Sequence, residues 1–383
     1  GEEEMKHLAI GGSTAARTLA CPGWLKKSEN IAAHPAGAAA LEGSMHHEVM
    51  ELCQKTSTTP EDHVGLVYTE NGNSITFDED HLKLSELAFK ATEQLLNRLD
   101  IDELEIEPFV ELIPNLAGGS IDFLGLSADR QTILIGDYKF GRVKVSPEQN
   151  AQMMFYAVAA MTDPKTKDLF DKVERFSLVI IQPRHRGTVF RWDTNYKTIK
   201  KFLSKIKVSI KQVQKKVDKG YPGNHCKWCP AEPYCPEKRQ AIYTAATLGT
   251  KRHNELTVSA AMVTEVEHWL KNTKEELFMQ LTNGVVVPGW KIVEKRTTRK
   301  WKDAADAEVA VTKAGVGSDA YRKEFLTAPA MEKMLKKLKI EFPLDEFVEK
   351  KTSGNTLAPE GDSREAVIVT DIAGNLADLV KLK

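Results

Sequence analysis

The sequence predicts a mixed α/β fold. Apolar residues alternate with polar ones or run continuously in five short stretches between positions 105 and 192, a pattern typical of strands. Apolar residues at helical spacing occupy the segments before, between and after these stretches. The 383-residue chain is 42% hydrophobic and 28% charged, and its length is sufficient for two or three domains with a large buried core.

Charge and cysteine content narrow the class of protein. The net charge is −1, so any charge that attracts nucleic acid must be local. No apolar run approaches the ~20 residues of a membrane span, and the sequence starts without a signal-peptide pattern. Five cysteines without an export signal argue against a disulfide framework and for a reduced compartment. We therefore expect a cytoplasmic protein that does not enter a membrane.

The first hundred residues are predicted to be mainly helical. Capping residues and apolar spacing predict a short helix from residue 13 or 14 to 21, a helix at 38–55, an irregular hairpin at 65–77 and an amphipathic helix at 80–99. A strand at 105–112 follows. Its Glu111 has two open interpretations, as an acid that extends a functional site or as an exposed strand residue.

The centre of the chain, residues 118–156, is predicted to form a hairpin followed by a helix. Strands at 121–124 and 132–139 are separated by a turn signal at 127–130, and the helix begins near Pro147. Because side chains alternate along a strand, Asp137 and Lys139 share one face, and the partner strand brings Asp122 beside them. The pattern therefore predicts two carboxylates and one ammonium on a single sheet surface.

This group of side chains suits metal-dependent hydrolysis. Carboxylates are hard ligands for Mg²⁺ or Mn²⁺, and a neighbouring lysine orients a water molecule or offsets phosphate charge. On the following helix, Gln152 and Tyr156 are four residues apart and share a face. The alternative interpretation is a plain hairpin with solvent-facing Asp and Lys side chains.

The spacing of these residues resembles the PD-(D/E)XK nucleases of the RecB-like branch. The resemblance depends on Asp122, Asp137, Lys139, Gln152 and Tyr156. The chain has isoleucine where the superfamily name has proline, a frequent departure in such families. The resemblance implies a restriction-endonuclease-like core, in which helices flank a mixed central sheet, with helical additions and a smaller α+β C-terminal region.

The resemblance extends to the helix at 38–55. Gly43 and His47 match the spacing of the first RecB-like motif, which implies that His47 is an additional metal ligand. A lone helix histidine is usually a surface or core residue, and we expect the adjacent His46 to lie on the surface. By resemblance, one or two Mg²⁺ or Mn²⁺ ions are bound by His47, Asp122, Asp137 and the Tyr138 carbonyl.

By the same resemblance, the other motif residues act on the substrate. Lys139 orients the attacking water, and Gln152 and Tyr156 position the phosphodiester strand. The implied activity is that of a metal-dependent deoxyribonuclease, a hydrolase of phosphodiester bonds. The alternative is a catalytically silent DNA-binding or assembly protein that retains the nuclease fold.

The cysteines predict a second metal centre. Cys226, Cys229 and Cys235 have the spacing C-x2-C-x5-C, and Cys21 is the natural fourth ligand, whereas Cys53 is expected to be a buried thiol. Short-spaced cysteines indicate a zinc knuckle by default. One cysteine before the nuclease motifs and three after them resembles the iron–sulfur subset, which includes CRISPR-associated four-cysteine nucleases and AddB-type subunits. That resemblance implies a [4Fe-4S] cluster joining the chain ends, while zinc, with His225 as a possible ligand, remains the alternative.

Two further segments are candidate DNA contacts. A helix predicted at 196–219 carries nine lysines and one acid, so its lysines, including Lys200 and Lys211, face either solvent or phosphate. A strand predicted at 290–301 places basic residues between two tryptophans, which suits a single-strand platform or a small core. Its candidate contacts are Arg296, Arg299 and Trp301.

The predicted organisation is a nuclease core at 1–240, a connector at 241–254 and an α+β region at 255–383 with a DNA-binding or oligomerisation role. No G-x-x-x-x-G-K-[ST] motif occurs, which excludes a helicase–nuclease fusion. Residues 289–294 and 356–364 resemble the tail of a phage-encoded RecB-like family. This implies an exonuclease of phage recombination or replication, located in the host cytoplasm, with a single-strand annealing recombinase as a possible partner.

Overall fold

The structure is a computed structural model. It describes residues 8–31, 37–248, 255–295, 297–316, 320, 325–352, 354–359 and 364–367. These residues divide into two compact units, one ending at Trp269 and the other beginning at Leu270. Within the described part of the chain, no helix combines the length and the apolar character that crossing a membrane requires.

The first unit contains the predicted alternation of helices and strands. Its helices are α1 (Ala15–Ala20), α2 (Trp24–Ser28), α3 (Ala38–Thr56), α4 (Glu79–Arg98), α5 (Ala151–Thr162), α6 (Tyr196–Gln214) and α7 (Pro236–Leu248), and α8 (Glu255–Thr282) continues into the second unit. Its strands are β1 (Val67–Glu70), β2 (Asn73–Thr76), β3 (Ile101–Ile106), β4 (Phe109–Ile113), β5 (Ala117–Ser120), β6 (Phe123–Ser127), β7 (Thr132–Tyr138), β8 (Arg175–Ile181) and β9 (Val189–Asn195).

A five-stranded mixed sheet forms the centre of this unit, in the order β3-β6-β7-β8-β9. Strands β7 and β8 are parallel and are connected through α5, whereas the other neighbouring pairs are antiparallel. Two-stranded sheets β1-β2 and β4-β5 lie outside it. The architecture is therefore α/β with helices on a mixed sheet, as the sequence predicted.

Alternation along β7 separates two hydrophobic cores. Ile133 and Ile135 belong to a core that includes α1, α5 and α6. Leu134 and Tyr138 belong to a second core with residues of α3 and α4. The sheet is thus covered by helices on both faces, and Asp137 and Lys139 fall on the α5 side by the same alternation.

Two predicted boundaries were wrong in the centre of the chain. The strand expected at 105–112 is two strands, because Glu107 has φ +53° and precedes Pro108, and neither feature suits a continuous strand. The helix expected from Pro147 begins at residue 151. Asn150 is the N-cap of this helix. Its side-chain oxygen accepts hydrogen bonds from the backbone N–H groups of Gln152 at 3.0 Å and Met153 at 3.2 Å.

The second unit is a smaller α+β region. Its elements are β10 (Trp290–Glu294), β11 (Thr298–Trp301), α9 (Ala304–Lys313), α10 (Ala328–Leu338), α11 (Leu344–Phe347), β12 (Val348–Lys351) and β13 (Asn355–Pro359). The strand expected at 290–301 is therefore two strands, and they pair with different partners, β13 and β12. Residues 241–248, expected in the connector, are helical, and the following residues 249–254 lie outside the described part.

Candidate metal centres

The hairpin of β6 and β7 brings the two predicted aspartates together. Phe123 pairs with Gly136, so Asp122 and Asp137 stand next to this pair at the open end of the hairpin. A Cβ at position 136 would lie 1.9 Å from the Phe123 ring, which explains why glycine is needed here. The Tyr138 backbone N–H donates to Asp122 Oδ2 at 2.5 Å and holds that carboxylate over the end of β7.

A histidine and a second acid join Asp122. From α3, His47 Nδ1 lies 3.3 Å from Asp122 Oδ2. Glu107, between β3 and β4, donates its backbone N–H to the Asp122 carbonyl oxygen at 3.1 Å. Ligand atoms of these three side chains all lie within 4.8 Å of one another, so together they could hold a metal ion. We call this group the carboxylate centre.

Glu107 is the site residue that sequence reasoning missed. Glu111, the acid named from the sequence, accepts a hydrogen bond from the Asn115 backbone N–H at 2.7 Å in the β4–β5 turn, and it is not part of the group. The available signal was the Glu107-Pro108 pair, because the residue before a proline often ends a regular element.

Asp137 lies in a network beside the carboxylate centre. It is 3% exposed, and Lys139 Nζ lies 2.8 Å from its Oδ2 and 3.0 Å from its Oδ1. The Gln152 amide donates to Oδ1 at 2.9 Å, whereas Oδ2 is buried without a hydrogen bond of good geometry. The structure therefore brings together the acid, the lysine and the amide named from the sequence. The ligand roles of Asp137 and of the Tyr138 carbonyl stay predictions.

Tyr156 lies one helical turn beyond Gln152 and packs against the segment that precedes α1. A Cβ at Gly12 would lie 2.6 Å from the Tyr156 ring, so the missing side chain allows this close approach. Burial, together with the charges of Asp137 and Asp122, raises the pKa of the Tyr156 phenol. Tyr156 is therefore a neutral hydroxyl beside the acidic residues.

The electrostatics of the carboxylate centre suit a cation. Burial raises the pKa of Glu107 to about 8, and the charge of Asp122 adds to this rise. Burial alone would lower the pKa of His47, but the Asp122 carboxylate raises it to about 9. The pKa of Asp122 is lowered, because His47 and the Tyr138 N–H outweigh the effect of burial. Oxygen and imidazole donors crowded together in this way fit Mg²⁺ or Mn²⁺.

The expected surface position of His46 was wrong. Its side chain is fully buried, hydrogen-bonds to Ser85 at 2.8 Å through Nδ1 and stacks on Phe140 with ring centroids 4.4 Å apart. Burial lowers its pKa to about 3, so it is a neutral core histidine. Neighbouring positions on α3 therefore point one imidazole into the core and the other toward Asp122.

The four predicted cysteines line one cavity, which we call the cysteine cavity. Cys21 follows α1, Cys226 and Cys229 lie at a short 3-10 turn (Asn224–Trp228), and Cys235 precedes α7. Burial raises the pKa of the Cys226 and Cys229 thiols, and that of Cys235 to about 11. A set of four thiols around one cavity fits a thiolate-bound metal or cluster, because a bound cation favours the thiolate form.

The two remaining histidine and cysteine candidates have different surroundings. His225 lines the same cavity, with Nε2 3.9 Å from Cys226 Sγ. Cys53 is 1% exposed within α3, and burial raises its pKa to about 11, which confirms the expected buried thiol.

The candidate DNA contacts are distributed over both units. Lys200 and Lys211 are exposed on α6, and Lys200 Nζ lies 4.7 Å from the Tyr196 ring centroid. Trp301 donates from Nε1 to the Leu326 carbonyl at 3.0 Å and packs on Phe325, as the small-core alternative expects. Arg299 lies on β11, whereas Arg296 falls outside the described residues.

Comparison with known proteins gives weak structural matches. The structure of an alkaline exonuclease (LHK-Exo) from Laribacter hongkongensis has 12% identity, covers 55% of this chain and 93% of its own, and has a TM-score of 0.22. The complex of LHK-Exo with dAMP has 15% identity, covers 54% of this chain and 92% of its own, and has a TM-score of 0.23. The structure of SSO0001 has 11% identity, covers 55% of this chain and 92% of its own, and has a TM-score of 0.24. All these TM-scores are below 0.5, so function is inferred from the residues of the two centres.

Sequence comparison identifies the family. No curated protein matches the chain. A family model described as a protein of unknown function (DUF2800) matches residues 7–365. Because this match includes most of the sequence, the chain belongs to the DUF2800 family.

Proposed function

We propose that the protein is a metal-dependent nuclease that hydrolyses phosphodiester bonds in DNA. The observation that supports this most directly is the convergence of His47, Glu107 and Asp122 ligand atoms within 4.8 Å, next to a lysine held by Asp137. Nitrogen and oxygen donors of this kind suit Mg²⁺ or Mn²⁺. When bound, such an ion polarises the phosphodiester and lowers the pKa of an attacking water.

The protein's own residues then divide the work. Lys139 is held by both oxygens of Asp137, so its ammonium has a defined position from which it can orient a water and offset phosphate charge. The Gln152 amide donates to Asp137 Oδ1 and so helps to fix the carboxylate that holds Lys139. Tyr156, kept neutral, has a hydroxyl that can donate to a phosphate oxygen.

The test is digestion of end-labelled single- and double-stranded DNA with Mg²⁺, with Mn²⁺ and with excess chelator. We expect cleavage with either ion, no cleavage with chelator, and loss of cleavage in Lys139→Met. The matched control is Lys172→Met, an exposed lysine in the segment before β8, which should cleave normally. Metal-loaded protein that binds DNA without cutting it would instead favour the catalytically silent alternative.

We also propose that the cysteine cavity holds a [4Fe-4S] cluster rather than zinc. What supports the cluster is that four thiols line one cavity, and that one cysteine before the β6–β7 hairpin and three after it resemble the iron–sulfur subset. A cubane binds four thiolates, one on each iron, and the four cysteines of the cavity supply that number.

Colour and composition test the cluster. Protein purified without oxygen should be brown and contain iron and acid-labile sulfide, whereas a colourless protein with one zinc would refute the cluster.

Exonucleolytic cutting is a finer proposal, drawn from the motif resemblance. It predicts that linear DNA is degraded from its ends while covalently closed circular DNA is left intact. The proposed setting is phage recombination or replication, with a single-strand annealing recombinase as partner.

A further inference from the structure

Arg17 lies at the cysteine cavity, and among the described residues its charge has no carboxylate partner. The side chain belongs to α1, is 7% exposed and lines the cavity with the four cysteines. Its guanidinium donates to the Trp228 carbonyl oxygen and lies 5.0 Å from the centre of the Trp24 ring. Its Nε atom is buried and has no hydrogen-bond partner.

Such a position is unfavourable for an arginine by itself. Arginine stays charged inside proteins, and a buried charge needs a partner of opposite sign. The other cation at the cavity, Lys27, is paired with Asp218 at 2.9 Å and Glu237 at 3.0 Å. The carboxylate at the cavity, Glu232, lies 3.5 Å from Lys238. The charged neighbours of Arg17 at the cavity are therefore already paired with other residues.

We propose that Arg17 is the counter-charge of an anionic, thiolate-bound metal centre held by the four cysteines. The inference rests on the metal centre proposed above and assigns to it a positioning residue that is not a ligand. Four thiolates on zinc or on a [4Fe-4S] core leave the centre with net negative charge. A guanidinium beside the sulfurs stabilises that charge and favours the thiolate form of the cysteines.

The local structure places Arg17 and its first cysteine together. Arg17 lies on α1, and Cys21 is the residue directly after that helix. The Cys21 backbone N–H donates to the Arg17 carbonyl oxygen at 2.9 Å and closes the last turn of this helix. One helical turn therefore delivers both a ligand and its counter-charge to the cavity.

The first experiment compares Arg17→Met with Arg17→Lys in the full chain. Methionine keeps much of the length without the charge, whereas lysine keeps the charge. The readouts are iron, zinc and sulfide content and retention of metal against a chelator. We expect Arg17→Met to retain metal about 10- to 100-fold less firmly, the usual effect of losing a residue that supports metal ligands, and Arg17→Lys to stay near wild type. If Arg17→Met retains metal as firmly as wild type, the inference is overturned.

A second experiment separates charge from packing. Arg17→Met is combined with Cys21→Ala and Cys229→Ala, and thermal unfolding is measured in both backgrounds. In the loaded protein, Arg17→Met should lower the Tm. In the Cys21→Ala/Cys229→Ala background it should raise the Tm, because it removes a buried charge that has lost its partner. An equal loss in both backgrounds would show a purely structural role on Trp24 and Trp228.

The two proposals fail in different ways. Wild-type protein without iron or zinc would refute the metal centre and, with it, the role of Arg17. Wild-type protein with metal, together with an Arg17→Met variant that behaves like it, would leave the centre intact and refute only the counter-charge.

Discussion

The carboxylate centre and the cysteine cavity differ in the sign of the charge that they bury. At the carboxylate centre, the side chains of His47 and Asp122 are 33% and 13% exposed, and the ionisable groups are mostly acids. At the cysteine cavity, Cys21 and Cys226 are buried, Cys229 and Cys235 are half-buried, and Arg17 is a buried cation without a carboxylate partner among the described residues. An acidic site suits a cation, whereas a cavity lined by a buried cation suits an anionic centre.

We expect the two sites to serve different purposes, catalysis at the carboxylate centre and stability of the chain at the cysteine cavity. The carboxylate centre is built from residues of one hairpin, one neighbouring strand end and α3, which already contact one another through the sheet and the hydrophobic core. The cysteines come from opposite ends of the first unit, about 200 residues apart in sequence, so a group bound to all four closes a long loop. Variants of the first region should therefore lose activity, and variants of the second should lose stability.

The largest expected effect is on cleavage in Asp122→Asn. We expect the rate to fall by about 100- to 1,000-fold or more, the range found when one preorganised group that stabilises charge is removed. The Tm should change little, because asparagine keeps a side-chain oxygen that can accept from the Tyr138 N–H. Single-turnover cleavage and thermal unfolding measure both quantities.

The control for this variant is Asp129→Asn, in the turn of the same hairpin, where the acid bonds to Ser127 and the Gln131 N–H. It should cleave at the wild-type rate. An Asp122→Asn protein that unfolds far below wild type would contradict the separation of chemistry from stability.

The second prediction concerns the cysteine cavity, where a substitution should change metal content and Tm. Cys21→Ser should lose bound metal and lower the Tm on the order of 10 °C, because the closure of a long loop is lost. Cys53→Ser is the matched control, since Cys53 is buried in α3 away from the cysteine cavity. Its metal content should equal that of wild type, even if its Tm falls. Metal analysis and calorimetry decide the outcome, and a Cys21→Ser protein with full metal content would refute the ligand assignment.

The third prediction concerns the acid that the sequence did not identify. Glu107→Gln should weaken Mn²⁺ binding about 10- to 100-fold, as expected when a residue at a metal site is replaced. Glu111→Gln is the neighbouring acid and should bind Mn²⁺ like wild type, because Glu111 bonds to Asn115 instead. Titration calorimetry with Mn²⁺ compares the two, and equal affinities would remove Glu107 from the site.

The smallest effect is expected for exposed lysines on α6. The double variant Lys200→Ala/Lys211→Ala should keep its Tm and reduce the salt dependence of DNA binding by about 0.7–0.9 per lost phosphate contact. The control is Lys83→Ala/Lys90→Ala, two exposed lysines on α4. Binding isotherms at several salt concentrations measure the slopes. Identical slopes for both double variants would mean that the lysines of α6 face solvent and do not contact DNA.

Most of the carboxylate centre and all four cysteines were predicted from the sequence. Side-chain alternation placed Asp137 and Lys139 on one face, and the hairpin signal brought Asp122 beside them. The structure confirms the mixed α/β class and brings Asp122, Asp137 and Lys139 to the same end of the hairpin, while the roles of these side chains and of the cysteines stay predictions. These features depend on short-range periodicity, which a sequence records directly.

Tertiary structure alone decided which groups from distant segments meet. Glu107 joins His47 because a positive φ ends β3 at that residue and turns the chain toward Asp122, whereas Glu111 has the same chemistry on a strand that faces elsewhere. Burial made the adjacent His46 a core residue. The sequence did not single out Arg17. Only the structure shows that this arginine is buried at the cysteine cavity without a carboxylate partner among the described residues. Local pattern records what a side chain can do, but desolvation and charge pairing depend on neighbours that only the folded chain supplies.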